Sequence, residues 1–84
     1  MKYALKIIPK AKKDLDDICD KDFESIKQKI LSLSGNPMLF GSQKLTVEEG
    51  YRIRAGNFRI LYRIDDGLRE VIIYRVKHRK EAYR

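Results

Sequence analysis

At 84 residues, 43% of them hydrophobic, the chain has material for one domain, residues 1–84, and its formal net charge of +7 points to an anionic partner. It holds no apolar run near the roughly 20 residues that a bilayer-crossing helix needs, and because Lys2 is followed by only a short mixed stretch before Pro9, no signal peptide is expected. A cytoplasmic protein with no membrane partner is therefore expected, and with Cys19 the only cysteine there is no internal disulfide.

Residues 2–8 read as a first strand. Pro9 suits the first turn of a helix, where its missing N–H is not needed. Ala11, Leu15, Ile18 and Cys19 fall at i, i+4, i+7 and i+8, an amphipathic helix on which Cys19 is expected as a small buried apolar residue. Asp22 can cap a second helix whose buried stripe is Phe23, Ile26, Ile30 and Leu33. Gly35-Asn36-Pro37 stops it. Residues 38–50 read as a loop with a short extended piece at 43–46, where Glu48 and Glu49 are loop charges.

From Tyr51 to Lys77 apolar residues alternate with arginines, and two hairpin signals interrupt them: Gly56-Asn57 and Asp66-Gly67. Three antiparallel strands follow, at about 51–55, 58–65 and 69–77. Side chains alternate faces with a period of two. Arg52 and Arg54 therefore share a face opposite Tyr51 and Ile53. Arg59, Leu61 and Arg63 oppose Ile60, Tyr62 and Ile64, and Arg75 and Lys77 oppose Ile72, Tyr74 and Val76. Tyr3, Tyr51, Tyr62 and Tyr74 read as core or core-edge residues. The expected fold is α+β, in the order β-α-α-β-β-β: an antiparallel sheet with two N-terminal helices packed on one face. The other face is open and cationic.

The charge is segregated. Residues 1–50 hold nine Lys and eight acids, net +1; residues 51–84 hold eight Arg, two Lys and four acids, net +6. Every arginine thus lies in the last 34 residues. Arginine offers a planar fork suited to phosphate, whereas lysine is a flexible point charge. A solvated sheet face is the plain alternative, but it gives no reason for one sign of charge, and a polyanion site is favoured. A domain this small buries only roughly 60–65% of its unfolded surface and gains from a partner.

The run G-Y-R-I-R-A-G-N-F-R-I-L-Y-R-I-D-D, preceded by K-L at 44–45 and followed by V-K-H-R-K-E-A-Y-R at the end, resembles the RelE/ParE superfamily of toxins from type II toxin–antitoxin pairs. The resemblance implies a cognate antitoxin as partner, with operator DNA contacted only through the antitoxin complex. RelE-like members cut mRNA in the ribosomal A site, so ribosome and mRNA are implied partners. ParE-like members share the fold, poison DNA gyrase and need no nuclease centre. The RelE-like pattern places cations at the positions of Arg52, Arg54, Arg59 and Arg79 and a tyrosine at that of Tyr83. Lysines usually stand where Arg52 and Arg54 stand here. Arginine, with a pKa above about 12, cannot act as a general base, although it can clamp phosphate.

Metal-free RNA cleavage needs three things: removal of the 2′-OH proton, stabilisation of charge on the phosphate, and protonation of the leaving oxygen. Arg52, Arg54, Arg59 and Arg79 suit the second. His78 and Tyr83 are the candidate proton carriers, since an unperturbed histidine titrates near neutrality and a tyrosine can carry a proton or stack on a base. A strand-end histidine and a tail tyrosine covering the sheet edge are their plain structural readings. Arg63, Arg75, Lys77 and Lys80 are candidate RNA contacts. The spacing of His, Cys and acidic residues supports no metal site, and no cofactor is expected. A gyrase poison and a non-catalytic nucleic-acid-binding module remain as alternatives.

Overall fold

The two hairpins form where local turn chemistry places them. In the computed structural model, which describes residues 2–37, 42–45 and 50–78, they join β3 (Tyr51–Ala55), β4 (Phe58–Asp65) and β5 (Glu70–His78). The first turn has Gly56 in the left-handed region, at φ 62°. In the second, Asp65 Oδ1 accepts the Leu68 N–H at 3.0 Å, and the left-handed residue is Arg69, at φ 55°, rather than the glycine. That conformation costs a non-glycine residue roughly 1–2 kcal/mol. Two contacts hold it: the Arg69 carbonyl accepts the Ala4 N–H at 2.8 Å, and its guanidinium lies 5.7 Å from the centre of the Tyr3 ring.

The first strand is shorter than expected, β1 at Ala4–Ile7, and the loop piece forms a two-residue strand, β2 at Gln43–Lys44. The sheet therefore has five strands in the order β1-β5-β4-β3-β2. All neighbours are antiparallel except β1, which joins β5 parallel at one edge. Helix α1 spans Pro9–Asp16, with the proline in its first turn. Helix α2 spans Asp20–Gly35 and is capped at Cys19, not Asp22. Asp20 and Asp22 sit in its first turn, where carboxylates favour the positive end of the helix dipole. Because the chain leaves the helix after Asp16, Cys19 falls between the helices and is exposed, not buried.

The core lies between the helices and one sheet face. Ala11 and Leu15 of α1, and Ile26, Ile30 and Leu33 of α2, meet Ile53, Ala55, Ile60, Tyr62, Val71, Ile73 and Val76. Each large aliphatic side chain among them contributes about 1.5–3 kcal/mol by leaving water. Tyr62 is wholly buried; its ring stacks on Tyr51, with centroids 5.8 Å apart, and its hydroxyl donates to the Pro37 carbonyl at 2.7 Å. That bond ties the segment after α2 to the centre of the sheet.

The third long strand departs from simple alternation. Pairing runs Leu61↔Arg75 but Tyr62↔Ile73, so Tyr74 is an extra residue in a β-bulge. The core side chains of β5 are therefore Val71, Ile73 and Val76, in place of the expected Ile72, Tyr74 and Val76. Tyr74 instead lies against Arg63, whose guanidinium is 5.6 Å from its ring centre.

Candidate nucleic-acid interface

Cross-strand register decides which cations share the open face. One row across the sheet is Arg54, Arg59 and Lys77; the next is Gln43, Arg52, Leu61 and Arg75; a third is Arg63, Ile72 and Lys6. Beyond these come Asp65 and Glu70. The face is thus not uniformly cationic. Its positive charge gathers at the end near the Gly56 turn and gives way to apolar and acidic residues at the other end.

Arg52, Arg54 and Arg59 come together, as the alternation on β3 and β4 implied. With Gln43 and Ile53 they line a hollow of about 340 Å³. Arg54 is exposed and Arg52 half-buried. Arg59 occupies the expected face but does not stand out from it: it is only 5% exposed, flanked by the long side chains of Arg54 and Lys77. The face expected to be open and cationic is therefore closed over at Arg59. Arg52 is held: its Nε–H and Nη2–H both donate to Gln43 Oε1, at 3.2 and 2.7 Å. The extended piece around residue 43 was legible in the sequence. The amide facing an arginine was not, because it appears only once β2 and β3 are in register.

The remaining cations divide. Lys77 stays in the Arg54–Arg59 row and is partly buried. Arg63 is exposed at the far end of the face, over Tyr74. Arg75 is turned to α1, where its Nε–H donates to Asp14 Oδ2 at 2.8 Å and an Nη2–H to Oδ1 at 3.4 Å. The same Oδ2 accepts the Val76 N–H at 3.0 Å. β1 pairs with β5 only as far as Ile73, so the Asp14 carboxylate caps the strand edge beyond that point. Partial burial acts to raise the Asp14 pKa. The bonds from Arg75 and Val76 and the charge of Arg75 outweigh it and hold the carboxyl below its ordinary 3.8.

His78, at the end of β5, pairs with Phe58 at the start of β4, on the side shared by Ile60 and Val76. Its ring meets the Phe58 ring edge-on, with centroids 5.1 Å apart. The strand thus turns His78 to the opposite side of the sheet from Arg59 and Lys77. Arg79, Lys80 and Tyr83 lie outside the described residues, as do Glu48 and Glu49. Among the described residues no three His, Cys, Asp or Glu side chains gather where they would hold a metal ion, and no helix is long and apolar enough to cross a membrane.

A family model, the ParE toxin of type II toxin–antitoxin systems (parDE), matches residues 5–83. The chain is 32% identical over 88 aligned residues to "Putative toxin RelE1" of Methanocaldococcus jannaschii, covering 100% of this chain and 98% of that one. It is 31% identical over 86 residues to "Toxin RelG" of Mycobacterium tuberculosis, covering 100% and 99%. Among solved structures it is similar to the toxin–antitoxin complex RelBE2 from Mycobacterium tuberculosis, with a TM-score of 0.84, 30% identity, and coverage of 94% of this chain and 100% of that chain.

Proposed function

The chain belongs to the ParE toxin family of type II toxin–antitoxin systems within the RelE/ParE superfamily, and from that premise we propose that it blocks translation by cutting mRNA on the ribosome. The observation that carries this reading is the hollow in which Arg52, Arg54 and Arg59 converge. Three arginines lining a space of that size suit one phosphodiester whose negative charge increases as it reacts.

In this reaction the 2′-oxygen attacks the adjacent phosphorus while the bond from phosphorus to the 5′-oxygen breaks. The products are a 2′,3′-cyclic phosphate and a 5′-hydroxyl. One proton leaves the 2′-OH and one reaches the departing oxygen. Arg52, Arg54 and Arg59 hold the phosphate and stabilise its extra charge, joined by Arg79 in the pattern the family resemblance implies. Arginine moves neither proton. Because the register turns His78 toward Phe58, the reading assigns proton transfer to Tyr83, at the position of the superfamily's C-terminal tyrosine. A site with so little acid–base chemistry relies on the ribosome to orient the message. A cognate antitoxin silences the toxin, operator DNA is reached only through that complex, and the protein acts in the cytoplasm.

Membership of the ParE toxin family favours one second reading, inhibition of DNA gyrase by protein contact. Mapping the 5′ ends of ribosome-bound message after toxin addition separates the two. New 5′-hydroxyl ends that disappear with Tyr83→Phe support the nuclease. Arrested growth with intact message and inhibited supercoiling supports the gyrase reading.

A further inference from the structure

Two arginines in one row of the sheet, Arg52 and Arg75, are both held by side-chain oxygens, but by chemically different ones. Arg75 is bound by the carboxylate of Asp14, which cancels its charge. Arg52 is bound by the neutral amide oxygen of Gln43, which fixes the guanidinium and leaves its full charge. We propose that Gln43 is a positioning residue, which orients Arg52 for a phosphate in the hollow. The proposal rests on the nuclease reading above and deepens it.

The donor count shows why this arrangement serves a phosphate. A guanidinium has five N–H groups. Gln43 takes the Nε–H and one Nη2–H, the pair along one side of the fork. Among the described residues, no partner takes the two Nη1–H groups or the second Nη2–H. The second Nη2–H and the Nη1–H beside it form the end-on edge of the fork, which can grip two phosphate oxygens at once. The grip on the side of the fork thus selects the edge that stays available. It also removes rotamer freedom from a long side chain before substrate arrives, so less is lost on binding. Register places Gln43 directly across from Arg52, and β2 holds only one other residue, Lys44. This short edge strand is what brings the amide to the arginine, and Gln43 lines the hollow together with Arg52, Arg54 and Arg59.

The test uses the full chain in four forms: wild type, Gln43→Ala, Gln43→Glu and Arg52→Ala, with the double variant Gln43→Ala/Arg52→Ala to close the cycle. Three readouts are taken: the rate of ribosome-bound message cleavage, the affinity for a short 2′-O-methyl RNA that cannot be cut, and the Arg52 Nε–H resonance. Gln43→Ala should lower the cleavage rate about three- to tenfold, the scale of one freed side chain, and speed solvent exchange of that N–H. It should have no further effect once Arg52 is alanine. Gln43→Glu keeps both hydrogen bonds and a slowly exchanging N–H but cancels the charge. It should reduce the salt slope of RNA binding by about 0.7. A merely structural glutamine would leave the salt slope unchanged in Gln43→Glu and would show the same loss with and without Arg52; either result overturns the proposal. A wild type that binds the RNA analogue but cuts no message refutes the nuclease reading alone, since the binding and resonance arms still report on Gln43. A wild type that does neither overturns both.

Discussion

Replacing Asp14 should loosen the fold and leave the arginine hollow almost untouched. The carboxylate accepts three hydrogen bonds, from Arg75 Nε at 2.8 Å, Val76 N at 3.0 Å and Arg75 Nη2 at 3.4 Å. A hydrogen bond to a charged group contributes about 1.5–3 kcal/mol, and the longest of these is weak. The two side chains keep 19% and 27% of their surface in water, which screens the pair. Asp14→Ala should therefore cost about 2–3 kcal/mol, a fall in Tm of about 10–20 °C for a domain of this size. Asp14→Asn retains an oxygen for the Val76 N–H and should lose about half as much. The pH dependence follows from the direction of the shift. A carboxyl held below its ordinary value contributes stability that is fully present above the unfolded-state pKa, here 3.8, and lost as pH falls through the lower folded value. The gap between wild type and Asp14→Asn should accordingly close in acid below about pH 3.8 and hold at neutral pH. Urea unfolding across that range measures it. If Asp14→Ala unfolds within about 0.5 kcal/mol of wild type at pH 7, the strand-edge cap and the placement of α1 along β5 are wrong.

Gly50→Ala should destabilise by about 1–3 kcal/mol, read as a shifted thermal midpoint: φ there is 129°, and an added Cβ would stand 2.9 Å from the Tyr62 carbonyl oxygen. Arg75→Met should lower stability by about 1–2 kcal/mol yet leave the salt slope of RNA binding in place, because Asp14 already cancels that charge; a fall in slope would return Arg75 to the binding face. With Arg52, Arg54, Arg59 and Lys77 on phosphates, the slope of log K against log salt for single-stranded RNA should be near −3, from about 0.7 for each of four contacts. A flat titration removes phosphate clamping as the source of affinity.

How far the sequence could be read depended on how local the determinants are. The hairpins of β3, β4 and β5 were legible because Gly56-Asn57 and Asp66-Gly67 act over four residues. The arginine alternation on β3 and β4 was legible because, Leu61 apart, each strand keeps its apolar side chains on one parity. β5 has two. Val71, Ile72, Ile73, Tyr74 and Val76 offer an apolar choice on both faces, and the Tyr74 bulge is settled by pairing with β4, which no local pattern states. Cys19 continued a helical period that the chain abandons after Asp16. The burial of Arg59 depends on which long side chains flank it across the ladder. The commitment of Arg75 to Asp14 depends on α1 lying beside the part of β5 that β1 leaves uncovered. In each case the missing information is a contact between distant segments.

Under the proposed function the arginine hollow holds a phosphodiester while it is cut. Cleavage of a ribosome-bound message, mapped at nucleotide resolution for wild type and Arg54→Ala, tests it most directly. Arg54 is the exposed member of the cluster, so its loss should spare the fold. Wild type should produce 5′-hydroxyl ends only when the ribosome is present. Arg54→Ala should slow their appearance about 100-fold or more, the scale for one charge-stabilising donor, with an unchanged thermal midpoint. Equal cleavage by the two proteins, or a message left intact by a wild type that still arrests growth, would contradict the account.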